Sequence, residues 1–369
     1  MSKLALPDFI PGLQLSEFLY EEAVRPILDR RFPGLAYSAA LIGNGSEVLG
    51  FDTPQSMDHD WGPRLRLFLA ENEFEQHREC INQVLCRELP TDIRGFPIDL
   101  AWVRSSDEYH GPATGDPSHH GISFHTLQGY FQGRFNIDPA SELRAADWLV
   151  ISQQYLRCLT AGQVFHDGLG QLEPLRLKLH YYPPDIWLYL LAAQWQRISQ
   201  EEPFMGRCGQ AQDELGSRLV AMRLVRDLMR LGFLLERQYA PYIKWLGTAF
   251  QRLDCARVLT PLFERIMRAS TWQKREKPLV AALEYAAELQ NRLGLAESLP
   301  ARASPFYDRP FQVIHAGRFA EALNRAIQDV EVKRLPPNLG SVDQFIDSTD
   351  VLDNPERLKK LGNLFTEES

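Results

Sequence analysis

Three aspartates in the first hundred residues could share a metal site. Asp58 and Asp60 are separated by one residue, and Asp99 lies in the apolar segment 95–102. If the first pair opens a strand, residues two apart point to the same face, and a neighbouring strand can bring Asp99 within reach. Carboxylates that converge repel each other unless a cation lies between them, and oxygen ligands favour Mg²⁺. The pattern predicts a site for two Mg²⁺ ions.

A tight turn before these aspartates could hold a phosphate. Gly45 and Ser46 follow the apolar segment 35–42, and eleven residues separate Ser46 from Asp58. A glycine leaves backbone N–H groups unhindered and a serine adds a hydroxyl, which suits a phosphate. Beside a Mg²⁺ site, such a turn indicates metal-assisted transfer of a phosphorus group.

This combination of a glycine-serine turn, a spaced aspartate pair and a third aspartate on a later strand resembles the nucleotidyltransferase superfamily, the fold of polymerase beta and kanamycin nucleotidyltransferase. His59 stands where that superfamily usually has an apolar residue, and we expect its side chain to point away from the metal. Four blocks, which span about residues 35–255, resemble a bacterial branch catalogued as a domain of unknown function. They are Asp58–Arg64, Phe165–Asp167, Tyr181–Pro184 and Tyr242–Gly247.

The resemblance implies an enzyme that moves a nucleoside monophosphate, by default AMP from ATP, onto an acceptor hydroxyl and releases pyrophosphate. Asp58 and Asp60 would bind two Mg²⁺ ions. Asp99 would bind the catalytic metal and help to deprotonate the acceptor, while Gly45 and Ser46 would hold the β- and γ-phosphates. The alternative is a nucleotide-binding regulatory or antitoxin-like module without turnover. Three intact aspartates favour the enzyme, since an inactive site has no reason to keep repelling carboxylates together.

Cationic side chains further along the chain give two more candidates. Lys244 follows Pro241, which suits the first turn of a helix, where the macrodipole disfavours a cation. The resemblance places Lys244 on the triphosphate, and a lysine lying over Trp245 is an equal alternative. A helix predicted over 215–237 has an arginine-rich face. We favour a solvated or salt-bridged stripe there over a phosphate site. The stripe consists of Arg223, Arg226, Arg230 and Arg237.

The elements that would position these residues alternate between strand and helix and then become helical. We therefore predict an α+β fold with a small mixed sheet followed by a mostly helical bundle. A helix that Asp185 caps is apolar nearly all round, which is typical of the middle of a bundle. Strands are predicted over 35–42, 58–61 continuing through 64–69, 98–103 and 122–127, and helices over 16–31, capped by Ser16, 71–88 and 147–161.

The change of pattern predicts three segments. Residues 1–139 would form the nucleotidyltransferase catalytic domain, residues 140–300 a helical domain that closes over the nucleotide, and residues 301–369 a C-terminal helix with an extended appendage. A chain of 369 residues exceeds the size at which single cores stop growing, about 250–300 residues.

Composition and charge narrow the function classes. The chain is 44% hydrophobic and 24% charged, as in globular proteins, and its net charge of −8 argues against a general nucleic-acid binder. The acceptor is unidentified; a small molecule is favoured over a protein or a tRNA end. Five cysteines without a Cys-x-x-Cys motif and the lack of a membrane-spanning apolar segment predict free thiols in a cytoplasmic protein. His119, His120 and His125 lack the spaced ligands of a zinc site.

Overall fold

The structure is a computed structural model that describes residues 7–58, 61–100 and 119–366, with only the backbone of Asp58. The predicted α+β fold is confirmed. The strands are β1 (Tyr37–Leu41), β2 (Arg64–Leu69), β3 (Asp92–Ile93), β4 (Phe96–Pro97), β5 (Gly121–His125), β6 (Gln163–Asp167), β7 (Ser304–Pro305) and β8 (Gln312–Val313).

Helices make up most of the remaining described chain. A π-helical turn (Leu19–Val24) joins the first two, and two 3₁₀ helices cover Pro54–Asp58 and Leu361–Phe365. The α-helices are α1 (Gly12–Phe18), α2 (Arg25–Arg31), α3 (Phe74–Glu88), α4 (Leu127–Phe135), α5 (Ala145–Val150), α6 (Gln153–Thr160), α7 (Leu172–Lys178), α8 (Pro184–Glu201), α9 (Phe204–Gln210), α10 (Glu214–Leu235), α11 (Ile243–Phe250), α12 (Ala256–Arg268), α13 (Trp272–Arg292), α14 (Gly317–Ala326), α15 (Val330–Lys333), α16 (Val342–Phe345), α17 (Thr349–Leu352) and α18 (Pro355–Lys360).

The chain folds into two compact units that are interleaved in sequence. The first, which we call the sheet unit, comprises residues 1–142 and 155–180. The second, the helical unit, comprises residues 143–154 and 181–369. The predicted functional division at residues 139 and 300 stays a prediction.

The sheet unit is built on a mixed four-stranded sheet in the order β5-β2-β1-β6. Strand β1 runs antiparallel to β2 and β6, and β2 runs parallel to β5. Because side chains alternate along a strand, Leu65, Leu67 and Leu69 point into the apolar core with α1, α2 and α3. The alternate residues Arg64 and Arg66 belong to the opposite face, which therefore carries polar side chains.

The segment before β2 corrects one prediction. Asp58 does not open a strand, because it ends a 3₁₀ helix that begins at Pro54; Trp61 lies outside any strand, and β2 begins only at Arg64. His59 and Asp60 lie outside the described residues. Gly62 has φ +137°, and the Pro63 nitrogen cannot donate to a strand ladder. These two residues explain why Trp61, directly before them, is not part of the sheet.

Three further predictions need correction. Ser16 does not cap a helix, because α1 begins at Gly12 and the Ser16 hydroxyl donates to the Gly12 carbonyl at 2.9 Å. Asp185 is not a helix cap either, since α8 begins at Pro184 and the Asp185 carboxylate accepts from the Gln328 backbone N–H at 2.8 Å. The helix predicted over 147–161 is two helices, α5 and α6.

The helical unit is organised around α8, which packs against α10 and α14. The central residues of α8 are buried all round, as predicted for a helix in the middle of a bundle. Trp195 stacks on Phe319 of α14 with ring centroids 4.7 Å apart. In the described part of the chain, no helix has the length and apolarity needed to cross a membrane. The five cysteines, all of which are among the described residues, form no disulfide bond.

Candidate functional site

The Gly-Ser turn lies at the end of the sheet where β2 begins. Strand β1 ends at Leu41, and the turn at residues 43–46 follows it. Because Ala40 pairs with Arg66 in the antiparallel ladder, the chain leaving β1 passes beside the start of β2. The 3₁₀ helix that ends at Asp58 leads the chain toward that same start.

Asp99 lies at this end too, on the other side of β2. It forms an isolated antiparallel bridge with His120, directly before β5, and Gly121 of β5 pairs with Arg64 at the start of β2. The Asp99 side chain is only 1% exposed, and its Oδ1 atom lies 3.7 Å from Nδ1 of the half-exposed His119. A buried carboxylate therefore lies at the end of the sheet where β2 begins. Of the strand predicted over 98–103, the structure shows this one bridge, and residues 101–103 lie outside the described residues.

The geometry of the predicted metal ligands is only partly described. Asp60 and the Asp58 side chain lie outside the described residues. Among the side chains that are described, no group of three His, Cys, Asp or Glu residues is arranged to hold a metal ion. Two of the three predicted ligands lie outside the described side chains, so the site for two Mg²⁺ ions stays a prediction.

A buried ion pair underlies the turn and explains its glycine. Arg64 pairs with Glu47, and Nη2 of Arg64 also donates to the Asn44 carbonyl at 3.1 Å. Gly45 has φ +137°, and a Cβ there would lie 2.5 Å from both Arg64 Nη2 and Glu47 Oε2. Burial raises the pKa of the Glu47 carboxyl, which Arg64 counteracts in part. The shape of the turn is therefore set by side chains beneath it, and only glycine fits.

Hydrogen bonds also fix the backbone that follows the turn at residues 43–46. The Ser46 carbonyl accepts a hydrogen bond from the Phe51 N–H at 2.9 Å. One carboxylate oxygen of Asp52 then accepts from the Gly12 N–H at 2.7 Å and from Trp61 Nε1 at 3.1 Å. These bonds tie the start of α1, the loop after the turn and the approach to β2 together. Sequence reasoning missed the supporting roles of Glu47 and Asp52, whose partners are distant in sequence.

Lys244 lies in the first turn of α11, as predicted, but Pro241 does not. The helix begins at Ile243 after Tyr242, so Pro241 precedes it. The Lys244 ammonium lies 5.2 Å from the centroid of the Trp245 ring. This is the arrangement of the alternative interpretation, and the assignment of Lys244 to a triphosphate stays a prediction.

The arginine stripe of α10 is salt-bridged, which confirms the favoured interpretation. Arg223 pairs with Glu201, and both Arg226 and Arg230 approach Asp347, at 2.9 and 3.6 Å. The last member, Arg237, lies over two rings instead. Its guanidinium carbon is 4.6 Å from the centroid of Trp187 and 5.0 Å from that of Tyr181.

His166 and Asp167 make structural contacts within the sheet unit. Asp167 accepts hydrogen bonds from the Ser38 hydroxyl at 2.6 Å and from the Glu173 N–H at 3.0 Å. Burial acts to raise the pKa of Asp167, but these and neighbouring hydrogen bonds outweigh it, so the pKa lies below its ordinary value. The ring of His166 packs 4.8 Å from that of Tyr37.

Comparison with known families supports part of the resemblance. A family model described as a domain of unknown function (DUF4037) matches residues 148–246, about a quarter of the chain. The match contains the blocks at residues 165–167 and 181–184 and ends at Leu246, whereas the block at residues 58–64 lies outside it. No curated protein and no solved structure matches this chain.

Proposed function

We propose that this chain is a Mg²⁺-dependent nucleotidyltransferase that transfers a nucleoside monophosphate from a nucleoside triphosphate to an acceptor hydroxyl. One observation carries the proposal. The turn at residues 43–46, the approach to β2 and the buried Asp99 come together at one end of a mixed sheet. The match to a domain of unknown function is compatible with the proposal but names no activity.

The residues present fit a divalent cation. Asp99 is a buried carboxylate, and its Oδ1 atom lies 3.7 Å from Nδ1 of His119. A hard cation with oxygen ligands suits such a carboxylate. Asp58, Asp60 and Asp99 would hold two Mg²⁺ ions, which when bound would stabilise the charge on the transferring and leaving oxygens.

The chain's own groups then divide the reaction between them. The backbone of Gly45 and Ser46 would orient the β- and γ-phosphates, with the Glu47–Arg64 pair fixing the turn's shape. The Asp99 carboxylate would accept the proton of the acceptor hydroxyl. The hydroxyl oxygen forms a bond to the α-phosphorus, the bond from that phosphorus to the β-phosphate oxygen breaks, and pyrophosphate leaves. Lys244 would contact the triphosphate, as the resemblance implies.

The resemblance does not identify the acceptor, and for the nucleobase of the donor it gives only a default. ATP is the default donor, and a small hydroxylated molecule is favoured over a protein or a tRNA end because the chain's net charge is −8. The experiment must distinguish this enzyme from the alternative, a nucleotide-binding module without turnover.

The test uses the full chain, each of the four α-labelled nucleoside triphosphates, MgCl₂ and a small-molecule cell extract as acceptor source. We expect pyrophosphate release with transfer of the label. Asp99→Asn should lower the rate at saturating nucleotide by at least about 100-fold, because an amide cannot accept the proton at neutral pH. Nucleotide affinity should change little. The matched control is Asp92→Asn, since Asp92 is exposed and accepts only local bonds, such as one from the Gly95 N–H at 3.0 Å.

Binding of nucleotide without any pyrophosphate release would identify the regulatory alternative and overturn the enzyme. A loss of nucleotide affinity in Asp99→Asn with an unchanged saturated rate would reassign Asp99 to binding. Equal losses in Asp99→Asn and Asp92→Asn would show that the effect is not specific to the site.

A further inference from the structure

The polar face of the sheet carries an arginine that forms no ion pair with any of the described carboxylates. Arg66 lies in the middle of the sheet, paired with Ala40 of β1 on one side and Ser123 of β5 on the other. Among the described residues, no Asp or Glu lies within ion-pair distance of its guanidinium. The neighbouring Arg64 is different, because Glu47 balances its charge.

Arg66 has hydrogen-bond donors to spare. Its Nε donates to the Ile42 carbonyl at 2.7 Å, and its Nη1 donates to the Ser123 hydroxyl at 3.3 Å. A guanidinium has five N–H groups. Three therefore have no acceptor among the described residues, and the Nη2 nitrogen is not sealed from solvent. A Cβ on Gly43 would lie 3.3 Å from Nη2, so the start of the turn passes beside these donors.

Packing holds the guanidinium in place. Its central carbon lies 5.1 Å from the centroid of the Tyr130 ring, which α4 contributes. The Tyr130 ring in turn lies 4.9 Å from that of His125, whose Nε2 is 2.9 Å from the Ser123 hydroxyl. Because these contacts fix the plane of the guanidinium, its unused donors point in set directions rather than following solvent.

A second arginine, Arg134, adds to the positive electrostatic field that acts on Arg66 and His125. Arg134 of α4 is exposed and forms no ion pair among the described residues. Burial first, and then the charges of Arg66 and Arg134, lower the pKa of His125 to about 4. Both arginines therefore act electrostatically on the His125 imidazole. Two arginines without an ion pair to a described carboxylate are unexpected in a chain whose net charge is −8.

We propose that Arg66, with Ser123 and Arg134 beside it, forms a binding site for a phosphate group. Several N–H donors in one plane, a hydroxyl and a second cation match a tetrahedral dianion better than a singly charged carboxylate. The phosphate belongs either to the nucleotide or to a phosphorylated second ligand. The inference does not rest on nucleotide transfer, because a chain without turnover would bind phosphate in the same way.

The test measures binding of inorganic phosphate and pyrophosphate to the full chain, without Mg²⁺ or nucleotide, by titration calorimetry and by the NMR signals of the His125 ring. We expect saturable binding that raises the pKa of His125. Arg66→Gln should weaken the affinity by at least about tenfold, as for a lost charged hydrogen bond. Arg134→Gln, at an exposed position where folding is not at risk, should weaken it by a smaller factor.

The matched control is Arg78→Gln, which removes the same charge from an exposed position on α3, at the apolar face of the sheet. Its affinity for phosphate should equal that of the wild type. Release of bound phosphate by ATP would assign the site to the nucleotide, and simultaneous binding would assign it to a second ligand; both outcomes support the site. Absence of saturable binding, or equal affinity in wild type, Arg66→Gln and Arg134→Gln, would overturn it.

Discussion

Arginines on helix α10 and on strand β2 differ in how their charge is balanced. Three arginines of the stripe lie on α10 and meet carboxylates, and the fourth, Arg237, follows the helix and lies over two aromatic rings. On β2, Arg64 is paired with Glu47, but Arg66 is held by a carbonyl, a hydroxyl and a ring. The first group uses its charge to hold the helical unit together. Arg66 has charge and donors left over.

This contrast shows which arginines to suspect of binding ligands. A stripe of arginines on a helix is easy to see in a sequence, yet its members find partners on neighbouring elements. A single arginine in an apolar strand is easily overlooked. Arg66 shows that such a residue can be held by a backbone carbonyl, a cross-strand hydroxyl and a ring without an ion pair to a described carboxylate. Whether a carboxylate pairs with an arginine is therefore more informative than the number of arginines.

The largest expected difference is in stability. Arg230→Met should lower the free energy of unfolding by about 3 kcal/mol, because the charge of Arg230 balances three carboxylates at once, those of Asp343, Asp227 and Asp347. Arg66→Met should cost only about 1 kcal/mol, the lost hydrogen bond to Ile42, since no carboxylate is left unpaired. Urea unfolding midpoints measured by tryptophan fluorescence would test the order. A larger loss in Arg66→Met would reverse the comparison.

The next expectation concerns pH. Burial, with Arg66 and Arg134, lowers the pKa of His125 to about 4, whereas an unfolded histidine titrates near 6.5. The unfolded chain therefore takes up this proton first, so the contribution of His125 to stability is present above pH 6.5 and is lost as the pH falls toward 4. NMR titration of the ring should show the low pKa, and Arg134→Gln should raise it. An unshifted pKa of His125 would contradict both causes, and an Arg134→Gln variant with the wild-type pKa would mean that Arg134 does not act on the ring.

The smallest effect is expected at the exposed end of the α10 stripe. The side chain of Arg223 is 56% exposed, and its ion pair with Glu201 is at the surface. Exposed pairs contribute between about 0.2 and 1 kcal/mol. Arg223→Ala should therefore shift the unfolding midpoint only slightly, in contrast to Arg230→Met. A loss above about 2 kcal/mol would mean that the stripe acts as one network and not as separate pairs.

Sequence patterns predicted the elements but not the contacts between them. Strands β1 and β2 have apolar patterns that are visible locally, and so does the buried helix α8. The prediction that Asp58 opens a strand was wrong because a 3₁₀ helix begins at Pro54 and ends at Asp58. Gly62 and Pro63 then delay the start of β2, and these local effects outweigh the strand-like spacing of the aspartates. The pair Glu47–Arg64 joins residues from different elements, and no local pattern indicates it. Arg66 was within a correctly predicted strand, yet its lack of a carboxylate partner is a property of the fold alone.

The interleaving of the two units has a consequence for synthesis on the ribosome. Strand β1 lies between β2 and β6, and β6 belongs to residues 155–180, beyond the first segment of the helical unit. At about 5–20 residues per second, the nascent chain spends several seconds with β1 made and β6 not yet made. During that interval β1, all of whose residues are buried in the finished fold, has an open hydrogen-bonding edge. A chaperone that shields this edge, or fast elongation through residues 143–167, would protect the newborn protein from aggregation.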